Sequence, residues 1–200
     1  IFTNISPDHI GPGEHADFEE YLYYKTRLLN MCGIGLVNKD DKHAPQIIKA
    51  ANCELYTYSE ESKEADFVAS DIRYVSQPDF VGTEFHISGK YDMEVRLGIP
   101  GLFNVVNALA AVSVCSFLGL DQARISHALE NIRVNGRMEI VYTSERCTVL
   151  VDYAHNAVSM ESLLSTLRDY KPKRLVCVFG CGGNRSKDRR YSMGEIGGKM

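Results

Sequence analysis

The lysine at position 25 is the residue whose placement carries most chemical information in this sequence. Helical spacing puts Lys25 on one face with Phe18, Leu22 and Leu29, so a stripe expected to be buried contains an amine. A partly buried lysine exists partly as the free amine, which reacts with carbon dioxide to give a carbamate, an oxygen ligand suited to Mg²⁺. The alternative is a side chain that extends from the end of the stripe into solvent.

A histidine precedes the same helix. His9 lies in the loop of residues 6–13, next to Asp8. A loop histidine is more often a surface residue than a ligand, but this one is close enough in sequence to the helix start to share a metal site with Lys25.

Two asparagines, Asn104 and Asn107, interrupt an otherwise apolar helix predicted over residues 102–118. A buried amide needs hydrogen-bond partners, because leaving it unpaired costs on the order of 1–3 kcal/mol. The two side chains either bind neighbouring backbone groups, or one of them binds a planar hydrogen-bonding ligand such as adenine.

Two further segments resemble ligand sites. Asp152 ends an apolar strand predicted over residues 148–152, where a carboxylate can hold ribose hydroxyls or a metal, or can cap the next helix. Residues 180–190 read as a strand end, a Gly-x-Gly-Gly loop and a helix start, without the Gly-Lys-Ser/Thr ending of a P-loop. Four cations in this segment suit a carboxylate or a phosphate: Arg185, Lys187, Arg189 and Arg190.

Secondary-structure elements must position these residues, and the apolar patterns predict an α/β chain. A strand, a helix, a strand, a glycine loop and a helix follow one another after residue 147, which favours a parallel, doubly wound sheet there. The polar stretch 143–146 is the predicted boundary between two domains, residues 1–143 and 144–200. The predicted helices cover residues 17–29, 44–51, 102–118, 121–132 and 159–170, and a further one begins after residue 191. The predicted strands cover 1–5, 31–38, 55–58, 67–75, 83–88, 93–97, 138–142, 148–152 and 174–179.

Composition narrows the class of protein. The 200 residues carry a net charge of −4, which gives no electrostatic reason to expect nucleic acid. The apolar run over residues 102–120 contains four polar side chains and reads as a buried helix rather than a membrane span, and no signal peptide is expected from the first residues. Six cysteines without a CxxC pair are expected to be buried, reduced thiols of a cytosolic protein. The chain starts and stops inside predicted elements, so we expect it to be an internal piece of a longer protein.

Six stretches together resemble the Mur ligases, cytoplasmic ATP-dependent amide ligases that build the peptide of bacterial cell-wall precursors. The resemblance is strongest to the branch that adds a diamino acid to UDP-N-acetylmuramoyl-L-alanyl-D-glutamate. The stretches occur in the family's order over nearly the whole chain: residues 3–10, 21–28 around Lys25, 100–108, 136–139, 151–155 and 178–185.

The resemblance implies the second half of a central ATPase domain, to about Thr143, followed by the start of a Rossmann-like C-terminal domain. In that family ATP phosphorylates the substrate's terminal carboxylate, and the incoming amine attacks the acyl phosphate. Lys25 matches the carbamylated lysine and His9 the nearby Mg²⁺ ligand, which makes them the implied catalytic and metal residues. The phosphate loop would lie upstream and the motif that selects the diamino acid downstream, so this piece alone is expected to be inactive.

The resemblance also implies the nucleotide and substrate contacts. Asn107 matches the adenine-side asparagine, and Arg137 and Asp152 match residues that contact phosphate and ribose, with His155 beside them. Arg185 matches an arginine that binds the carboxylate of the diamino acid. The implied cofactors are ATP and Mg²⁺, and the implied partners are the UDP-linked muramoyl dipeptide and a diamino acid, with no nucleic acid and no membrane. Two alternatives remain: a related amide ligase such as the muramyl-ligase-like half of a cyanophycin synthetase, or a non-catalytic homologue that binds a nucleotide or a protein partner.

Overall fold

The structure is a computed structural model that describes residues 1–6, 10–11, 13–182 and 187–200. Residues 187–189 are described by their backbone only. It has the mixed α/β character predicted from the sequence. The chain consists of two compact units. The first unit contains residues 1–72, 85–95 and 105–128, and the second contains residues 73–84, 96–104 and 129–200.

A five-stranded sheet is built from consecutive strands that lie side by side in chain order. The first two pairs are parallel, and α2 (Ala44–Ala50) crosses over between the first two strands. Two residues join the third strand to the fourth, a link short enough only for antiparallel neighbours. The strands are β1 (Ile34–Asn38), β2 (Glu54–Ser59), β3 (Phe67–Gln77), β4 (Phe80–Gly89) and β5 (Met93–Leu97).

Helix α1 (Phe18–Arg27) begins where its capping signal predicts. The Asp17 carboxylate accepts a hydrogen bond from the Glu20 amide at 2.8 Å. The Glu20 carboxylate turns back to accept from the amide of Ala16 at 2.6 Å, one residue before the partner expected in a capping box. A 3-10 turn, Leu28–Asn30, follows, so β1 begins at Ile34 rather than at residue 31.

Two further helices follow β5: α3 (Leu102–Phe117) and α4 (Gln122–Glu130). The side chains of Val105, Leu109 and Val112 are buried along α3, which anchors the helix in the core. None of the helices in the described ranges is long and apolar enough to cross a membrane.

The last part of the chain departs from the prediction. Strands β6 (Glu139–Thr143) and β7 (Thr148–Val151) form an antiparallel pair, and helices α5 (Ala157–Asp169) and α6 (Lys187–Lys199) follow. The predicted buried strand over residues 174–179 is wrong: this segment is irregular, and Val178 is 93% exposed. An apolar run becomes a strand only where another strand accepts its backbone hydrogen bonds, and the described residues supply no such neighbour. Among the described residues after 147, the strand pairing is the antiparallel one of β7 with β6.

The turn between β6 and β7 occupies the predicted domain boundary. The amide of Ser144 donates to the Cys147 carbonyl at 2.9 Å, and the Ser144 hydroxyl accepts from the amides of Arg146 and Cys147. The boundary residues 143–146 thus comprise the end of β6 and most of a tight hairpin turn inside the second unit.

All six cysteines are free thiols, but the expectation that they are buried is wrong. Cys32, Cys147 and Cys177 are exposed and the other three are half-buried. The exposed ones lie in the approach to β1, in the hairpin turn and in the irregular segment 174–179.

Candidate functional site

Lys25 is exposed, so the prediction that its amine faces inward is wrong. Helix α1 buries Tyr21, Leu22 and Thr26 instead. The Lys25 Nζ lies 5.2 Å from the centroid of the Tyr21 ring, so the flexible stem carries the amine out along an aromatic face while the charge stays hydrated. The alternative of a lysine that extends to solvent therefore describes this side chain.

Aromatic rings surround the start of α1 near this amine. The His15 imidazole lies 5.2 Å from the Tyr21 ring and 5.4 Å from the Tyr24 ring, measured between centroids. Within the described ranges Lys25 has no carboxylate at ion-pair distance, and the Tyr21 ring is the contact found there for its amine. Sequence reasoning missed these rings; four aromatic residues between positions 18 and 24 were the available signal.

The described residues do not assemble a metal site by themselves. They contain no group of three or more histidine, cysteine, aspartate or glutamate side chains that could hold an ion. The predicted ligand His9, its neighbour Asp8 and the predicted carboxylate-binding Arg185 lie outside the described residues.

Asp41 fixes the chain just before the predicted histidine loop. Its Oδ2 accepts a hydrogen bond from the amide of Ile5 at 3.0 Å, and its Oδ1 accepts from the amide of His43 at 2.8 Å. The carboxylate lies just beyond the carboxyl end of β1, the edge of a parallel sheet where ligands bind. Sequence reasoning missed this residue, although the run Asn38-Lys-Asp-Asp after a strand was the signal.

The two asparagines of α3 behave differently. The Asn104 amide donates to the Pro100 carbonyl at 2.7 Å, which is the backbone alternative. Asn107 is exposed, and its side-chain amide has no hydrogen-bond partner in the described part of the chain. Its donor and acceptor are therefore free to pair with a planar ligand.

The β6–β7 pair brings Asp152 next to the turn that contains Arg137. The Asp152 Oδ2 accepts from the Met138 amide at 2.9 Å, and its Oδ1 accepts from the Ala154 amide at 2.8 Å. Met138 is 1% exposed and has a positive φ of 45°, so this bond supports a backbone conformation that is costly for a residue with a side chain.

Asp152 is not the cap of the following helix. Helix α5 is capped by Asn156, whose side chain accepts from the Ser159 amide at 2.9 Å while the Ser159 hydroxyl accepts from the Asn156 amide. The capping alternative for Asp152 is therefore wrong. Each of its carboxylate oxygens makes one backbone bond and retains a lone pair for a ligand hydroxyl.

Around Asp152 the structure gathers a set of side chains that we call the turn cluster: Arg137, Asp152, Tyr153 and His155. The Arg137 guanidinium lies 4.8 Å from the centroid of the Tyr153 ring, and the Tyr153 and His155 rings are 5.1 Å apart. Arg137 is exposed and has no carboxylate at ion-pair distance in the described ranges. The turn cluster thus contains a cation, Arg137, that no carboxylate of the described ranges neutralises and that can bind an anion. Next to it, the Asp152 carboxylate can bind hydroxyl groups.

The turn itself is held from the other side by Glu139, whose Oε2 accepts from the Gly136 amide at 2.7 Å. Glu139 and Tyr153 lie in the stretches 136–139 and 151–155 that carry the family resemblance, but the sequence predicted no role for either side chain. Of the predicted site residues, Lys25 and Asn107 lie in the first unit and the turn cluster lies in the second.

Comparison with protein families matches two models to separate parts of the chain. The model of the Mur ligase middle domain matches residues 1–115, and the model described as Mur ligase, glutamate ligase domain, matches residues 136–200. Arg137 and Asp152 fall in the second match, and Lys25 and Asn107 fall in the first.

Curated relatives align along nearly the whole chain. The UDP-N-acetylmuramoyl-L-alanyl-D-glutamate–2,6-diaminopimelate ligase of Alkaliphilus oremlandii is 38% identical over 210 residues, covering 100% of this chain and 41% of the relative. The second ligase of that name from Clostridium acetobutylicum is 38% identical over 195 residues, covering 97% and 39%. The chain therefore spans about two fifths of the length of these relatives.

Solved structures show the same similarity in three dimensions. A UDP-N-acetylmuramoyl-L-alanyl-D-glutamate–2,6-diaminopimelate ligase superposes with a TM-score of 0.75 at 30% identity, covering 98% of this chain and 41% of that chain. MurF from Acinetobacter baumannii superposes with a TM-score of 0.67 at 24% identity, covering 84% and 36%, which shows a shared fold.

Proposed function

The chain belongs to the Mur ligase family, and from that premise we propose that its parent protein is an ATP-dependent amide ligase of peptidoglycan precursor synthesis. The proposed reaction joins a diamino acid to UDP-N-acetylmuramoyl-L-alanyl-D-glutamate. The observation that carries this proposal is the 38% identity, along the entire chain, to a ligase named for that reaction with 2,6-diaminopimelate.

The turn cluster is the proposed binding site for the ribose and phosphates of ATP. A guanidinium with no carboxylate partner in the described ranges suits a phosphate, to which its N–H donors can bond in pairs. The Asp152 carboxylate already holds the turn in place and has lone pairs left for ribose hydroxyls. His155 would contact the same nucleotide, and Asn107 would bind adenine.

ATP supplies the phosphoryl group that activates the substrate carboxylate for attack by the amine. Catalysis of such a transfer consists mainly of positioning and of stabilising developing charge, so a fixed cation such as Arg137 is a suitable protein contribution. We also propose that Arg185 binds the carboxylate of the incoming diamino acid, that the reaction takes place in the cytoplasm, and that the domain boundary lies near residue 143.

The family resemblance further suggests Mg²⁺ held by His9 and by a carbamate on Lys25. This part of the proposal rests on the match of Lys25 to the family's carbamylated lysine, and the exposed position of the side chain leaves it accessible to carbon dioxide. A carbamate would supply one oxygen ligand. Phosphate oxygens and water commonly complete the shell of Mg²⁺ in sites of this kind.

The test uses the full-length protein with ATP, Mg²⁺ and UDP-N-acetylmuramoyl-L-alanyl-D-glutamate. We expect phosphate release that depends on 2,6-diaminopimelate or L-lysine, with a large loss of activity in Lys25→Ala and Arg137→Ala. A matched control is Lys49→Ala, at an exposed position in α2. We expect no turnover by the 200-residue chain alone.

Two outcomes would replace this proposal. Turnover with another amine, when both diamino acids fail, would favour a related amide ligase such as a cyanophycin synthetase half. Absence of any ATP turnover by the full-length protein would favour a non-catalytic homologue that binds a nucleotide or a protein partner.

The carbamate has a separate test that needs no turnover. Full-length protein in ¹³C-bicarbonate buffer should give a carbamate carbonyl signal in the ¹³C spectrum, and that signal should be lost in Lys25→Ala but retained in Lys49→Ala. A spectrum that is the same for wild type and Lys25→Ala would rule out modification at this residue.

A further inference from the structure

We propose that Tyr153 is a positioning residue that holds the Arg137 guanidinium in a phosphate-binding orientation without neutralising its charge. The proposal rests on the function proposed above, since it assumes that Arg137 binds the phosphates of the nucleotide. Its basis is the position of the Arg137 guanidinium over the Tyr153 ring, with the tilted His155 ring next to the tyrosine in the turn cluster.

Burial does not explain the tyrosine. Its side chain is 61% exposed, so the ring adds little to a core. The Arg137 guanidinium carbon lies 4.8 Å from the centroid of the Tyr153 ring. The centroid of the His155 ring lies 5.1 Å from the same point. The position of the ring therefore relates to its two charged or polar neighbours rather than to packing.

An aromatic partner has a specific consequence for the arginine. A carboxylate partner would hold the guanidinium but would also occupy its N–H donors and cancel its charge. A ring face attracts the cation and leaves the N–H donors at the guanidinium edge free. Because the described residues place no carboxylate at ion-pair distance from Arg137, the Tyr153 ring is its main side-chain contact there.

The backbone on both sides of this stack is held by one carboxylate. Asp152 bonds the amides of Met138 and Ala154, which are the residues directly after Arg137 and Tyr153. The His155 Nδ1 lies 3.1 Å from the Tyr153 carbonyl, which adds a third contact to the same segment. The backbone directly after Arg137 and directly after Tyr153 is therefore restrained by the same side chain, and the ring contact adds a restraint on the arginine side chain itself.

The test compares Tyr153→Phe and Tyr153→Leu in the full-length protein, with Tyr142→Leu as the matched control. Tyr142 lies on β6 and is 56% exposed. In Tyr153→Leu we expect the Kd for ADP and the KM for ATP to rise roughly two- to fivefold, the range of an exposed cation–π contact, while kcat changes little. Tyr153→Phe keeps the ring and should remain within about twofold of wild type, as should Tyr142→Leu.

Two results would overturn the proposal. Unchanged ADP affinity in Tyr153→Leu would show that the ring does not position the cation. An equal loss in Tyr153→Phe would assign the effect to the hydroxyl group instead of the ring face.

A second measurement separates this proposal from the proposed function. In arginine-labelled full-length protein the Arg137 side-chain protons should show a ring-current shift that disappears in Tyr153→Leu and persists in Tyr153→Phe. Absence of the shift in wild type would exclude the stack, whatever the activity. If the wild type shows the ring-current shift but Arg137→Ala binds ADP as tightly as the wild type, Arg137 does not bind phosphate. In that case Tyr153 has no positioning role in nucleotide binding either.

Discussion

The Tyr170 hydroxyl accepts a hydrogen bond from the backbone amide of Gly101 at 3.3 Å, which links the end of α5 to the turn before α3. The same hydroxyl donates to the Gly82 carbonyl at 2.9 Å and lies 3.1 Å from the Thr83 hydroxyl. Burial raises the pKa of Tyr170, so the phenol stays neutral and able to donate over the physiological range. One side chain thus connects three segments that are distant in sequence.

Replacing Tyr170 by phenylalanine should destabilise the chain by about 1–3 kcal/mol, because the Gly82 carbonyl and the Gly101 amide lose a partner in a partly buried place. The free energy of unfolding in urea, measured by circular dichroism, checks this. Tyr191→Phe is the control, because Tyr191 is 74% exposed and should change stability by less than about 0.5 kcal/mol. Equal midpoints for the two variants would contradict a structural role for the Tyr170 hydroxyl.

Gly101→Ala should destabilise more than Gly119→Ala. Both glycines have positive φ, 107° and 66°, so both substitutions introduce backbone strain of about 1–3 kcal/mol. A Cβ at Gly101 would also lie 3.0 Å from side-chain atoms of Phe103 and Thr166, whereas nothing lies within 4 Å of one at Gly119. The difference between the two unfolding free energies contains the steric contact at Gly101 and the less accessible φ of that residue, and both act in the same direction. A larger loss of stability in Gly119→Ala would show that Phe103 and Thr166 move away from the new methyl group at position 101 without cost.

Asp152→Asn should destabilise the chain by about 1–2 kcal/mol, because an amide offers one acceptor oxygen where the carboxylate serves two backbone N–H groups. Asp169→Asn removes the same charge at an exposed helix end and is the control. In the full-length protein Asp152→Asn should also weaken ADP binding, since the turn before Met138 carries Arg137. Wild-type stability in Asp152→Asn would mean that one oxygen is enough to hold the turn.

Glu60→Gln should stabilise the chain near neutral pH and have no effect in acid. Burial, together with the charges of Asp40 and Glu61, raises the pKa of Glu60 above its ordinary value of 4.5. The ionised form is therefore less favourable in the folded chain than in the unfolded chain. This penalty is absent below pH 4.5, grows as pH rises, and is complete above the raised pKa.

Unfolding midpoints measured at about pH 4 and about pH 7 test the sign of this effect. The gap between Glu60→Gln and wild type should open only at the higher pH. Glu145→Gln, in the exposed β6–β7 turn, controls for the loss of a surface carboxylate. A gap that is larger in acid would contradict the raised pKa.

Local signals in the sequence determined most of the helices and strands. Asp17 and Glu20 marked the start of α1, and α3 extends over Leu102–Phe117 where residues 102–118 were predicted. Caps and apolar periodicity act through neighbours within a few residues, so the sequence contains them directly. The ordered motifs also identified the family, which the two family models confirmed.

Tertiary structure alone decided which of these residues meet and which face solvent. Periodicity placed Lys25 on the buried stripe, but a four-carbon stem lets its amine leave that stripe over the Tyr21 ring. The bond from the Met138 amide to Asp152 spans 14 positions and exists only because β6 and β7 pair. Strand formation and such long-range bonds depend on a partner elsewhere in the chain, and no local pattern states where that partner lies.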